Sequence, residues 1–135
     1  MRIIVIDGQG GGIGKSLVEQ LKKHFPQQEV LGIGINAIAT SAMVKAGADG
    51  GATGESAVCY NCAHADIIVG PIGLVLVGSM LGEVSNAISS AVSSSQADKV
   101  LIPVSKCHAH IAGVKDQPIG RFIEDALKEV ELLLQ

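Results

Sequence analysis

The chain has 135 residues, a formal net charge of −3, 47% hydrophobic and 17% charged residues. That length suits a single domain over residues 1–135, able to bury about two thirds of its unfolded surface without staples. Only Phe25, Tyr60 and Phe122 are aromatic and no basic run occurs, which argues against stacking platforms and phosphate-backbone surfaces, and so against nucleic acid as a partner.

Residues 2–6 form an apolar β-branched run, the pattern of a strand buried on both faces. A glycine loop, Asp7 to Gly14, follows. Ile13, Leu17, Leu21 and Phe25 then recur every fourth residue, which predicts an amphipathic helix ended by Pro26. Residues 29–35 read as a second strand, and Asn36 as the cap of a short helix through Lys45. Ala46 to Gly54 reads as a second glycine loop, with Gly47 suited to the helix end and Thr53 to capping or ligand contact. Residues 55–65 read as helix and 66–69 as a third strand, ended by Gly70-Pro71-Ile72-Gly73. The apolar run Leu74 to Leu81 is consistent with a strand or a helix start. Val84, Ile88, Ala91 and Val92 predict a helix ending at Ser93-Ser94-Ser95. Residues 99–104 read as the fourth main strand and 110–114 as a short fifth. Asp116 and Pro118 open a last helix with a buried face of Ile119, Phe122, Ile123, Ala126, Leu127, Val130 and Leu134.

Strands alternating with helices predict an α/β fold: a Rossmann-like or flavodoxin-like three-layer sandwich with a mainly parallel sheet of 4–5 strands. The opening Met1 to Asp7 is too short for a signal segment, and the uncharged stretch from Asp66 to Glu83 is short and broken by Gly70, Pro71 and Gly73. A cytoplasmic protein without a membrane partner is the expectation. Its 3 cysteines do not suggest a disulfide framework.

Ligands of such sheets bind outside the carboxyl ends of the strands. Onto that rim the predicted elements bring Asp7, Gly8, Gln9, Gly10, Gly11, Gly12, Ile13, Gly14, Lys15 and Ser16. Asn36, Thr40, Ser41, Gly70 and Pro71 join them, as does the run from Ser105 to His110. Glycine lets backbone approach an anion, and a helix N-terminus offers free N–H groups and a positive dipole end. The spacing misses two strict fingerprints. Ile13 replaces the third glycine of GxGxxG, although Gly8, Gly10 and Gly14 fit a looser dehydrogenase variant. Gly14-Lys15-Ser16 is similar to the end of a Walker A loop, but Gln9 stands at its first glycine. Asn36 occupies the place of the ribose-binding acid. The plain alternative is a tight turn with Asp7 as its cap; Asp7 as a general base is a further one. Flexible glycines in the second loop suit a lid or a surface connection.

Two clusters carry the soft ligands: Cys59-x-x-Cys62-x-His64 and Cys107-His108-x-His110. Together they offer a set for Zn²⁺, Fe²⁺ or Ni²⁺, and CxxC alone a redox pair; buried helix cysteines are the structural alternative.

The runs Asp7 to Lys15, Asn36 to Met43, Ala46 to Asp49, Gly51 to Glu55 and Gly70 to Ile72 resemble a small bacterial family of unknown function, DUF3842. The resemblance covers essentially the whole chain. It implies a small cytosolic bacterial protein with a Rossmann-like fold and lends no activity. The Cys/His clusters stand outside the shared pattern.

Three functions follow as expectations. The first is a nucleotide such as NAD(P), or another phosphorylated metabolite, bound on Gly10 to Gly14, with Lys15 as counter-charge and Asn36, Thr40 and Ser41 on its polar middle. The second is metal or thiol chemistry at Cys59, Cys62, Cys107, His108 and His110. The third is a homo-oligomeric module using the apolar stretch Leu74 to Leu81.

Overall fold

A computed structural model describes residues 1–104 and 106–135. The strands are β1 (Arg2–Asp7), β2 (Glu29–Gly34), β3 (Gly50–Thr53), β4 (Ile67–Pro71) and β5 (Asp98–Ile102). The helices are α1 (Gly12–His24), α2 (Ala37–Lys45), α3 (Glu55–His64), α4 (Asn86–Ser94) and α5 (Ile119–Leu134). All strand pairs are parallel, in the order β3-β2-β1-β4-β5. That is the doubly wound Rossmann order short of its sixth strand, and it reverses direction between β1 and β4.

The period of two in β1 sorts its side chains into two cores. Ile3 and Val5 join Leu17, Val18 and Leu21 of α1, Met43 of α2, and Ile123, Ala126 and Val130 of α5. Ile4 and Ile6 face Val58 and Cys62 of α3 and Ile88 and Val92 of α4. Burying each aliphatic side chain of this size contributes about 1.5–3 kcal/mol, which is why β1 reads as an unbroken apolar run.

Three local expectations are corrected. The second glycine loop contains β3, an edge strand paired with β2 from Leu31↔Gly50 to Gly34↔Thr53. Gly51 reflects the close seating of α2, since a Cβ there would lie 2.6 Å from Val44, and so does Gly32 of the neighbouring β2, where one would lie 2.7 Å from the Cβ of Met43. The expected strand over residues 110–114 is instead a turn, closed by Val114 N–H donating to the Ile111 carbonyl, with Gly113 left-handed. The run from Leu74 to Leu81 is neither strand nor helix. A 3-10 turn, Ile72–Val75, buries Leu74, and tight turns follow as far as Gly82.

Candidate functional site

At the switch point β1 ends in Asp7, and the chain turns through Gly8 to Gly11 into α1. Gln9 and Gly11 take left-handed φ of 46° and 74°. Gly11 is required there, because a Cβ would also stand 2.7 Å from the Cα of Ala39. The Gly11 N–H closes the turn on the Gly8 carbonyl at 2.9 Å. The loop thereby forms a concave run of amides at a helix N-terminus.

Asp7 lies beneath this run, 4% exposed. Its Oδ1 accepts from Gly8 N–H at 2.8 Å and its Oδ2 from Gly14 N–H at 2.7 Å. Burial pushes its carboxyl above the usual aspartate value, and the two amides pull the other way. Asp7 is thus a clasp between the strand end and the first turn of α1, with neither oxygen left without a donor.

Above the loop sits a residue that sequence reasoning missed. Glu83, on the segment between the 3-10 turn and α4, accepts from Gln9 N–H at 2.6 Å and from the Asn36 side-chain amide at 2.6 Å. Met80 of the same segment joins Asp7 to Ile13 in lining a hollow of about 160 Å³. The one available signal was Glu83 itself, a lone acid closing the longest uncharged stretch of the chain. Three loop amides, Gly10, Gly12 and Ile13, donate to no protein acceptor among the described residues. At Gly10 and Gly12 an added Cβ would meet open space.

The remaining expected residues divide into three groups. Asn36 caps α2, its Oδ1 accepting from Ala39 N–H at 2.9 Å, while its amide also donates to the Gln9 carbonyl at 3.0 Å. The Thr40 hydroxyl is turned inward, 2.7 Å from the Thr53 hydroxyl and 3.2 Å from the Ala52 carbonyl, which fixes α2 to β3. Thr53 therefore braces the sheet, and Gly54 takes the cap position of α3. Gly70 and Pro71 are buried, Gly70 packed against Ile6 and Leu74. Lys15 and Ser41 lie on the outer side, where with Lys45 they line a groove of about 440 Å³ between α1 and α2. Ser105 lies outside the described residues.

The two Cys/His clusters are not brought together. Among the described residues no three of His, Cys, Asp and Glu are grouped as a metal ion requires. Cys59 and Cys62 belong to α3; Cys62 faces the core, and burial raises its thiol to about 11, which disfavours the thiolate. His64 Nδ1 lies 2.7 Å from the Tyr60 carbonyl. Cys107 and His108 sit in a left-handed turn beyond β5, and Cys107 is exposed. Among the described residues the metal set expected at Cys59, Cys62, Cys107, His108 and His110 is therefore not assembled, its halves belonging to α3 and to the segment after β5. Among the described residues no helix is long and apolar enough to cross a membrane.

The fold and site define a class: a parallel α/β sandwich with a glycine loop at the switch point. A family model described as "Domain of unknown function (DUF3842)" matches residues 2–135, and the chain belongs to that family. No curated protein matches the sequence significantly. Among solved structures, the chain is similar to a dodecameric FMN-dependent Ubix-like decarboxylase from Escherichia coli O157:H7. The identity is 14%, covering 97% of this chain and 94% of that one, with a TM-score of 0.50. That likeness concerns the fold.

Proposed function

We propose that the protein binds a nucleotide or another phosphorylated metabolite through its glycine loop. One observation carries this reading: the loop already holds an anionic group. The Glu83 carboxylate rests on the Gln9 amide, beside open amides at the start of the 13-residue helix α1. A phosphate oxygen asks for the same donors and the same dipole end. The exposed Lys15 and Lys45 of the neighbouring groove supply positive charge for the remainder of such a ligand. The FMN dependence of the E. coli structural neighbour makes a flavin nucleotide the first to try, ahead of NAD(P).

Thermal and chemical denaturation with FMN, NAD(P), ATP and inorganic phosphate tests the reading. A true ligand at a hundred times its Kd adds about 2.7 kcal/mol; no shift with any of them removes the proposal. Homo-oligomerisation is a second part of it. Leu81 is 98% exposed and Val77 52%, and the solved neighbour is dodecameric. Sedimentation showing only monomer at high concentration refutes that part.

A further inference from the structure

We propose that Glu83 is a built-in competitor for the anion cradle, occupying its Gln9 amide in the ligand-free protein and leaving when a phosphate group enters. The inference rests on the anion-binding reading above and adds its regulation. Both carboxylate oxygens are engaged by loop-side donors, Oε1 by the Gln9 amide and Oε2 by the Asn36 side chain. A methyl group at Gly8 would collide with this carboxylate and with the Met80 thioether. The acid therefore sits directly against the loop, and a second anion at the Gln9 amide cannot share the place.

The segment carrying Glu83 is a self-closed turn under strain. Gly78 N–H donates to the Val84 carbonyl at 2.9 Å, and Val84 N–H to the Ser79 carbonyl at 3.2 Å. Within it Met80 and Leu81 are consecutive left-handed residues, at φ 58° and 57°, flanked by Gly78 and Gly82 at 90° and 89°. Side chains with a Cβ disfavour that region. The Ser79 hydroxyl is buried with no partner among the described residues, and an unmade buried hydrogen bond is a further cost. Leu81 is wholly exposed and anchors nothing. Met80, 9% exposed, and the two Glu83 hydrogen bonds oppose these costs. Met80 seats the turn, and the carboxylate is its exchangeable part.

The test uses the full chain as wild type, Glu83→Ala, Glu83→Gln and Gly82→Ala. Amide NMR reads the Gln9 N–H directly, and titrations use inorganic phosphate and FMN separately. In Glu83→Ala the Gln9 amide should move upfield and exchange faster, and both probes should bind about tenfold tighter, a 1.4 kcal/mol gain. Glu83→Gln should fall between, since it keeps the shape and drops the charge. Gly82→Ala keeps the acid but penalises the left-handed turn, and should tighten binding by a smaller factor. An unmoved Gln9 amide, or equal affinities in wild type and Glu83→Ala, overturns the competition. Weaker binding in Glu83→Ala also overturns it, by making Glu83 a ligand contact. If the Gln9 amide loosens while no variant binds either probe, the anion reading falls and the competition with it, leaving Glu83 as a structural clasp.

Discussion

A wide hollow and the small glycine-loop hollow lie at opposite edges of the sheet. The large one, about 600 Å³, opens at the amino edge between α3 and α4, lined by Cys59, Ala63, Ala87, Ala91 and their small neighbours. The small one, about 160 Å³, is the glycine loop at the carboxyl edge. Size favours the first and chemistry the second. The α3–α4 hollow exists because short side chains line two neighbouring helices, and its lining, with Ser90, Ser94, Ser95 and Gln96 as polar members, carries no charged side chain. The loop presents amides, a buried carboxyl and a helix dipole within a few ångströms. Recognition depends on such convergent polar groups.

The sharpest way to break this contrast is at Gly11. Gly11→Ala adds a Cβ in a left-handed position against the Ala39 backbone and should cost about 2–4 kcal/mol by chemical denaturation. A loss under about 1 kcal/mol would mean the loop is not held as described.

Asp7→Asn comes next. Asparagine accepts from only one of the Gly8 and Gly14 amides and turns a donor toward the other, a loss of about 1–3 kcal/mol. The difference should depend on pH. Burial holds the folded carboxyl of Asp7 above the usual aspartate value, so the native state holds its proton more tightly than the unfolded chain. Its stabilising effect is fully present below that value and declines as pH rises through the folded pKa. The gap between wild type and Asp7→Asn, followed by denaturation across pH, should therefore narrow from acid toward neutral. A gap that widens instead would show a carboxylate stabilised in its charged form.

Lys15→Ala should leave stability unchanged and weaken binding of phosphate-bearing ligands about twofold to fivefold, the scale of an exposed charge, with the effect fading at high salt. The smallest effect should come from the other hollow. Ala87→Leu fills open space between α3 and α4 and should alter stability by less than about 1 kcal/mol, with no change at the loop amides by NMR. Loss of ligand binding in Ala87→Leu would reverse the comparison.

The legible elements were those whose pattern is set by their own core. β1 and α1 carry apolar periods that match their buried faces, as does α5 except at Ile119, which is 43% exposed, and the Asn36 cap was readable because capping is local. β3 was hidden because α2 presses so closely on the sheet that glycine replaces the β-branched residues which normally announce a strand. The turn after β4 was hidden for another reason. Its left-handed Met80 and Leu81 have no local sequence signal, and contacts with a loop some seventy residues earlier impose its shape. Of the loop amides from Gly10 to Gly14 expected to hold an anion, Gly10, Gly12 and Ile13 are open among the described residues, while Gly11 serves the Gly8 carbonyl and Gly14 serves Asp7. The inward roles of Thr40, Gly70 and Pro71, and the presence of Glu83, depend on tertiary packing.

The side chain of Asn36 divides its duties in a way that matters for any opening motion. Its oxygen holds α2 through Ala39, and its nitrogen serves both the Gln9 carbonyl and Glu83. An amide nitrogen has two protons, so departure of the acid releases one and leaves the other in service. Neither the helix start nor the loop is untied by that exchange. The freed proton is left facing the vacated place, a ready handhold for whatever arrives.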